Sequence, residues 1–225
     1  MTKSERKFFP SQWSVQLGGI FFDILNSIFT SNSYILYTDE NKNAYVIDPG
    51  DSKPLIEWSI KNSKDLIGIF LTHSHFDHIY GINDLLGKYP DIFIYTSFFG
   101  KEGLMCEKLN GSRYMEMPFI VNSANVKIIK ECDSILLWEG EFINIFETPG
   151  HNRDCISLQI GENLFTGDAL IPGIKVVAKS KYSDKVQAEN SIKRILTEFN
   201  DDILIWPGHN DKCLLSELRI LSLVV

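Results

Sequence analysis

The sequence predicts an α/β fold in which helices cover largely apolar β-sheets. Short apolar segments of strand length recur along the chain and alternate with segments of helical periodicity. Most of the strand segments are apolar at nearly every position, which is typical of sheets that are covered on both faces. No Pro/Gly/Ser-rich linker interrupts the 225 residues, so we expect one domain over residues 1–225.

The first predicted elements are a β-hairpin and a helix. Strands at 34–37 and 44–47 flank a polar turn segment, as expected for a hairpin. A helix is predicted over 53–62, because Asp51 or Ser52 can cap its first turn.

The remaining elements follow from the spacing of apolar residues. Strands are predicted where short apolar runs end at turn residues, over 66–71, 92–96, 126–130, 134–137, 142–147, 155–160, 163–166 and 203–206. Helical periodicity predicts helices over 79–88, 100–109, 187–199 and 212–221. Residues 97–125 are weakly patterned and contain several aromatic residues and methionines. They form either a helical excursion packed on the core or a lid over a site.

The composition limits the partners and the compartment. The net charge of −7 and the pI near 5.3 argue against nucleic acid, because phosphate binding needs a basic surface, whereas a small anionic substrate stays compatible. None of the four cysteines forms a C-x-x-C pair, and residues 1–10 lack the apolar core of a signal peptide. The apolar stretch 20–29 is too short and polar to cross a membrane. We therefore expect a cytoplasmic protein without a membrane partner; its oligomeric state is not readable.

The histidines are concentrated in one motif. Three of the five histidines lie in His73-x-His75-x-Asp77-His78, directly after a predicted strand. A motif of this composition would arise by chance in about one such sequence in several thousand. Neutral imidazole and carboxylate are the preferred protein ligands of zinc-like ions.

The spacing of the motif bears on the number of ions. Four candidate ligands within six residues exceed what one tetrahedral ion can use while it keeps an open position for a substrate. The segment therefore predicts either two ions or one ion with idle neighbours.

Further candidate ligands follow other predicted strands. His151 and His209 each come after an apolar strand and a Pro-Gly turn, and Asp168 ends a strand after Thr166-Gly167. A carboxylate has two oxygens and can bridge two cations about 3.5–4 Å apart. Together with the first motif, these residues predict a metal site assembled from strand ends.

The set His73, His75, Asp77, His78, His151, Asp168 and His209 resembles the metallo-β-lactamase superfamily, and within it the glyoxalase-II-like hydrolases. Ser31-Asn32-Ser33-Tyr34 and Asp48-Pro49-Gly50-Asp51 resemble its N-terminal hairpin, so the similarity covers about residues 30–210. The resemblance implies an αββα sandwich with the site at one edge of two packed mixed sheets.

The resemblance also implies roles for the residues. His73, His75 and His151 would hold one ion; Asp77, His78 and His209 would hold the other; and Asp168 would bridge them. The expected cofactor is two Zn²⁺, with Fe or Mn as alternatives. The implied activity is hydrolysis of a small thioester, lactone or phosphodiester by a bridging hydroxide, with Asp77 as the catalytic residue. Asp48 would either orient a ligand histidine or serve only as a turn residue.

Differences between this sequence and members of the superfamily narrow the range of expected substrates. The β-lactamases of the superfamily usually have Cys at the position of Asp168, which disfavours penicillin-type substrates. The extra C-terminal helical domain of glyoxalase II is not expected, because few residues follow His209. Lys175, Lys179 and Lys181 follow Asp168 and form either a solvated loop or an anion-binding segment. Substrate contacts are also predicted for Arg153 and Tyr80, although for Tyr80 aromatic packing is the simpler role.

Two other functions are compatible with the same residues. The chain also resembles the persulfide dioxygenases of the superfamily, in which His73, His151 and Asp168 would hold a single iron. Alternatively, the protein is a non-catalytic metal-binding relative, a class that normally lacks some of the ligands.

Overall fold

The computed structural model of the protein describes residues 20–178 and 180–222. Its strands are β1 (Ile20–Leu25), β2 (Asn32–Tyr37), β3 (Asn43–Ile47), β4 (Asp65–Phe70), β5 (Phe93–Thr96), β6 (Val126–Ile128), β7 (Ser134–Trp138), β8 (Glu141–Glu147), β9 (Ile156–Ile160), β10 (Asn163–Gly167), β11 (Leu204–Pro207) and β12 (Cys213–Leu214). Its helices are α1 (Ser52–Asn62), α2 (Phe76–Ile79), α3 (Ile82–Lys88), α4 (Phe98–Leu104), α5 (Lys185–Glu198) and α6 (Leu215–Ser222), and Ser112–Tyr114 form a 3₁₀ turn. Among these helices none has the length and apolar character needed to cross a bilayer.

The first sheet contains β1 to β6 in chain order. β1, β2 and β3 are antiparallel neighbours, whereas β3, β4, β5 and β6 run parallel. Parallel neighbours require a crossover, and helices supply it between β3 and β4 and between β4 and β5. Consequently β3 and β4 end at the same edge of the sheet, where Asp48 and the histidine motif follow them.

The second sheet has the order β12-β11-β10-β9-β8-β7. β9 lies antiparallel between β8 and β10, and β11 runs parallel to β10. β8, β10 and β11 therefore point in the same direction. Their last residues, Glu147, Gly167 and Pro207, lie at one edge of this sheet.

The two sheets pack face to face over an apolar core. Alternate residues of β2 divide between the two faces of the first sheet: Tyr34 and Leu36 belong to the core between the sheets, and Ile35 to the core beneath the helices. From the second sheet, Leu158 and Phe165 complete the intersheet core. This explains why the strands are apolar at nearly every position.

Helices cover the outer faces of both sheets. Leu55 of α1 and Leu85 of α3 pack in one cluster with residues of the first sheet. Ile195 of α5 and Leu218 of α6 pack in another with Leu164 of the second sheet. The predicted αββα sandwich of two mixed sheets is confirmed.

Some local features differ from the predictions. Helix α4 ends at Leu104, five residues before the end of the predicted helix 100–109. The strand β1 was not predicted. The predicted helix 79–88 is divided into α2 and α3, because Gly81 packs against the backbone of Gly50 and its N–H donates to the Pro49 carbonyl over 3.1 Å. The helix predicted over 212–221 begins three residues later than expected, at Leu215, directly after β12.

Segment 97–125 is a helical excursion that packs on the first sheet. It contains α4 and the 3₁₀ turn, and Leu104 and Val121 are buried in the cluster beneath α1 and α3. The N–H of Phe76 donates to the carbonyl of Asn110 over 2.8 Å, so the segment lies against the histidine motif. Its role as a lid stays a prediction.

Candidate metal centre

The histidine motif begins three residues after β4, in a turn tied to both sheets. The Thr72 N–H and hydroxyl donate to the two carboxylate oxygens of Asp48, over 2.8 and 2.5 Å. The Thr72 carbonyl accepts from the N–H of Ile156 in the second sheet over 2.8 Å. After this turn His75 precedes α2, and Asp77 and His78 lie within that helix.

The remaining predicted ligands reach the same place from the second sheet. His151 follows β8, Asp168 follows β10 and His209 follows β11. Since these three strands end at the same edge, their side chains meet the histidine motif of the first sheet. All seven side chains predicted from the sequence are thus brought together.

Three imidazoles form the first group, His73, His75 and His151. One nitrogen from each lies within 4.8 Å of the others. His151 Nε2 and His75 Nδ1 are 2.8 Å apart, and His73 is fully buried. Three imidazoles converging in this way match the nitrogen-rich ligand set of zinc-like ions.

The second group consists of Asp77, His78 and His209, whose ligand atoms also lie within 4.8 Å of one another. Asp77 Oδ2 is 3.3 Å from His209 Nε2 and 3.6 Å from His78 Nε2. This group carries a carboxylate, so its charge differs from that of the first group.

Asp168 lies between the two groups. Its Oδ2 is 3.5 Å from His151 Nε2 of the first group and 3.6 Å from His209 Nε2 of the second. Its Oδ1 is 3.5 Å from His78 Nε2. The carboxylate is therefore placed to serve both groups at once.

The hydrogen-bonding inventory fits a metal ion. Within the described residues, His73 Nε2, both ring nitrogens of His78 and Asp168 Oδ1 are buried without a hydrogen-bond partner. Buried polar atoms of this kind are unfavourable unless something satisfies them. Nitrogen and oxygen donors left free at one place match the ligand set of divalent zinc, iron or manganese.

The pKa values differ between the two groups. Burial and the neighbouring imidazoles hold the pKa of His73 well below its ordinary value of 6.5, and burial together with His151 lowers that of His75 to about 4. The imidazoles of His73 and His75 are thus neutral and able to donate lone pairs. Lone-pair donation to a metal requires this state.

In the second group the neighbouring carboxylates outweigh burial in setting the pKa of the histidine His78. Burial alone would lower the pKa of His78, but Asp77, Asp168 and Asp48 raise it to about 10. Burial alone would raise the pKa of Asp77, but His78 and His209 lower it to about 2. The carboxylates thus stabilise a positive charge here, which a proton or a metal cation can supply.

Asp48 orients His78. Its backbone has a φ of 50°, and its Oδ2 lies 3.2 Å from His78 Nδ1. Both carboxylate oxygens also accept from Thr72, as described above. Of the two roles considered for Asp48, the geometry favours orientation of a ligand histidine over a turn residue alone.

The His151 turn is held by residues that follow Asp168. The carbonyls of Pro149, Gly150 and His151 accept hydrogen bonds from Ser191 Oγ, Asp184 N and Ser183 Oγ, over 2.7, 2.9 and 2.7 Å. In addition, His151 Nδ1 donates to the carbonyl of Val177 over 2.8 Å. The segment before α5 therefore sets both the backbone and the ring orientation of His151.

The His209 turn is held by the start of β2. Asn32 donates from its backbone N–H to Gly208 over 2.7 Å and from Nδ2 to Pro207 and Asn210 over 3.1 and 2.9 Å. Tyr34 also donates its hydroxyl to Pro207 over 2.5 Å. A side chain at Gly208 would overlap the Asp168 carboxylate, so only glycine fits there.

The predicted substrate residues lie at different places. Lys175 is exposed on the segment after Asp168, and Lys179 is outside the described residues. Lys181 is exposed, with its Nζ 5.8 Å from the centre of the Tyr182 ring.

The other two predicted substrate residues are engaged elsewhere. Arg153 pairs with Glu102 over 2.7 Å, and its guanidinium carbon lies 4.3 Å from the centre of the Phe99 ring. The Tyr80 hydroxyl donates to Asp51 over 2.8 Å. Burial raises the pKa of this phenol to about 12, so it stays protonated.

Some residues of the centre were not predicted. Asn26 donates from Nδ2 to Ser31 and Ser33 over 3.1 and 2.9 Å, and it accepts from the N–H of Asp51 over 2.8 Å. Asp154 accepts two hydrogen bonds from Ser74. The available signal for Asn26 was an isolated polar residue in an apolar stretch; for Asp154 it was the distance of three residues from His151.

A helix–sheet–sheet–helix sandwich with a histidine and aspartate cluster at one edge defines a class of metal-binding proteins. The chain belongs to the metallo-beta-lactamase superfamily, whose family model matches residues 27–209. The resemblance noted from the sequence is thereby confirmed.

One relative is a hydroxyacylglutathione hydrolase from Buchnera aphidicola subsp. Schizaphis graminum. It is 34% identical over 163 residues, which cover 72% of this chain and 56% of the relative. The chain thus spans little more than half the length of this relative.

Solved structures share the fold. The BLEG-1 B3 metallo-beta-lactamase has a TM-score of 0.80 and 25% identity, with 88% of this chain and 95% of that chain covered. TTHA1623 in a di-iron-bound form has a TM-score of 0.74 and 23% identity, with 87% and 95% covered. The second likeness, at this identity, concerns the fold alone.

Proposed function

We propose that the protein is a metal-dependent hydrolase that holds two divalent cations and cleaves a small thioester. The observation that carries this proposal is the convergence of seven histidine and aspartate side chains at one sheet edge, where four buried nitrogen and oxygen atoms lack a hydrogen-bond partner among the described residues. A non-catalytic relative would be expected to lack some of these ligands, whereas the chain has all seven.

Each side chain has a role in this proposal. His73, His75 and His151 would hold one cation, and Asp77, His78 and His209 would hold the other. Asp168, whose Oδ2 faces both groups, would serve both cations. Two bound cations of this kind supply hydroxide near neutral pH and polarise the substrate oxygen.

Asp77 is the proposed catalytic residue. Its carboxylate is only 7% exposed, and its Oδ2 faces His209 Nε2 at 3.3 Å. With a pKa lowered to about 2, it is ionised at neutral pH and can accept at Oδ2 the proton that the attacking water loses. It then transfers that proton to the leaving group.

A thioester is the best supported substrate among the three ester-like classes. The relative that is 34% identical carries the name hydroxyacylglutathione hydrolase, which denotes cleavage of an acylated thiol. Because this chain spans 56% of that relative, glutathione itself is not part of the proposal. Lactones and phosphodiesters are the alternatives. Lys175 is the exposed cation that we propose for a substrate anion, and Lys179, Arg153 and Tyr80 are further candidates.

Zinc is the proposed metal, with iron or manganese as alternatives, because the ligand set is entirely nitrogen and oxygen. Elemental analysis of the purified protein, combined with a screen of thioester, lactone and phosphodiester compounds, tests the proposal. We expect two zinc ions per chain and thioester cleavage. One iron per chain with oxygen consumption would instead establish the persulfide-dioxygenase alternative, and absence of any bound metal would refute the centre.

Asp77→Asn tests the catalytic role within the same assay. We expect kcat to fall by at least about 100-fold, the typical size of a general acid–base contribution. Asp91→Asn is the matched control, since Asp91 is an exposed carboxylate before β5, and its kcat should equal that of the unmodified protein. Unchanged kcat and metal content in Asp77→Asn would remove the proposed role.

A further inference from the structure

Asp154 is a buried carboxylate for which the proposed reaction has no use. Its side chain is 2% exposed, and burial raises the pKa of the carboxyl. Oδ2 accepts from the N–H and the hydroxyl of Ser74 over 2.9 and 2.5 Å, while the buried Oδ1 has no partner among the described residues. Burying a carboxylate is unfavourable, so its position calls for a physical reason.

The location of Asp154 supplies that reason. Its partner Ser74 lies between His73 and His75, and Asp154 itself lies three residues after His151. Next to this contact, Asn152 Nδ2 approaches His75 Nε2 at 3.4 Å, and the Ile156 N–H donates to Thr72. Segments 72–75 and 151–156 therefore run side by side, with the Asp154–Ser74 contact between the residues that bear the three imidazoles.

Helix α4 holds this contact from the other side. A side chain added at Gly103 of α4 would overlap Ser74, so the backbone of α4 packs directly against the serine. Ser97, which caps α4, donates its hydroxyl to the Asp154 carbonyl over 3.0 Å. Both partners are thus held in one arrangement by surrounding structure.

We propose that Asp154 is a positioning residue that couples the two histidine-bearing loops and pre-arranges His73, His75 and His151 for a divalent cation. The inference rests on the proposed metal centre. Two loops from different sheets must otherwise be ordered when the cation binds, and that ordering lowers the affinity. Partners that orient ligands from behind are typically worth about 10–100-fold in metal affinity.

The test is a double-mutant cycle on metal affinity, measured by zinc titration against a chromophoric chelator. Asp154→Ala should lower the affinity for the zinc ion of the first group, that of the three imidazoles, by about 10–100-fold and leave the affinity for the other zinc ion unchanged. Ser74→Ala should have a smaller effect, and the double variant should be no worse than Asp154→Ala, because both changes break the same contact. Asp154→Asn keeps an oxygen acceptor for Ser74 and should recover most of the lost affinity.

Glu102→Gln is the matched control. It removes the ion-pair partner of Arg153, the residue next to Asp154, and should leave both zinc affinities unchanged. The melting temperature of the metal-free variants separates a loss of affinity from a loss of folding, and Ser74→Ala, which removes one of the two hydrogen bonds to Asp154, tests the proposal if Asp154→Ala does not fold.

Three results would overturn the proposed positioning role of Asp154 while the metal centre stands. They are an unchanged affinity for both ions in Asp154→Ala, an equal weakening of both ions in that variant, and additive effects of the two substitutions in the cycle. If the unmodified protein binds no zinc, iron or manganese, the proposed centre fails first. The two failures are therefore distinguishable.

Discussion

The two Pro-Gly-His turns have similar sequences, but hydrogen bonds from different parts of the chain hold them in place. Each follows a strand of the second sheet, β8 or β11, and each brings a histidine to the same edge. The His151 turn is held by the segment that precedes α5, which comes later in the chain. The His209 turn is held by Asn32 and Tyr34, which come far earlier.

This difference shows that a local motif determines where a strand ends but not what keeps its histidine in place. The His151 ring is oriented by a backbone carbonyl, that of Val177, and serves the group of three imidazoles. The His209 ring faces the carboxylates of Asp77 and Asp168. The two turns should therefore respond differently to mutation and to pH.

Loss of the carboxylate that both groups share should have the largest effect. We expect Asp168→Ala to reduce the affinity for both ions and to lower kcat/KM by more than about 100-fold, beyond the range for residues that only orient ligands. Elemental analysis and steady-state kinetics check this. Asp202→Ala, a change of an exposed carboxylate, should match the unmodified protein, and retention of both ions in Asp168→Ala would contradict the shared role.

The pH dependence of metal binding should separate the two groups. Since the pKa of His78 is raised to about 10, it is protonated at neutral pH, and a cation must displace that proton from the second group. Affinity there should rise about tenfold per pH unit until the pH reaches about 10. In the first group the pKa of His75 is lowered to about 4 and that of His73 lies well below 6.5, so a cation displaces no proton from these two rings near neutral pH.

Isothermal titration in buffers of different ionisation enthalpy counts the protons released. Because the carboxylates of the second group raise the pKa of His78 and of His209, we expect its ion to release more protons than the ion of the first group near neutral pH. The binding step that releases protons should become weaker in His209→Ala, because His209 belongs to the second group. The same step should be unchanged in His151→Ala, because His151 belongs to the first group. Equal proton release from both groups would show that the electrostatic contrast between them is absent.

The smallest effects should come from the supports of the two turns. Asn32→Ala removes two side-chain hydrogen bonds to the His209 turn, and Ser191→Ala removes one to the His151 turn. Each lost bond should cost about 1 kcal/mol in the free energy of unfolding. Each variant should weaken only the ion of its own group, by about 10-fold; zinc titration distinguishes this pattern from a uniform loss.

The candidate centre was predictable because its residues follow strands. His73, His151 and Asp168 each stand where an apolar run ends, and runs of this kind are visible in the sequence. The supporting contacts were not predictable, since Asp154 and Ser74 are 80 residues apart and Asn32 and Pro207 are 175 apart. Such pairs depend on how the two sheets dock.

The missed elements of the fold have local causes. β1 carries Asp23 and exposed Leu25 around a buried Ile24, so as an edge strand it lacks a continuous apolar run. The break between α2 and α3 depends on the approach of Gly81 to Gly50, a tertiary contact that helical periodicity does not encode.

The hydrogen bond from Ile156 to Thr72 has a consequence for how the protein assembles. It joins the first sheet to the second next to four candidate ligands from one and three from the other. The candidate metal centre can form only after the two sheets have packed together, so a cation bound there would link the two sheets. Removal of the cation by a chelator should destabilise the contact between the two sheets at Thr72 and Ile156 before any other part of the sandwich.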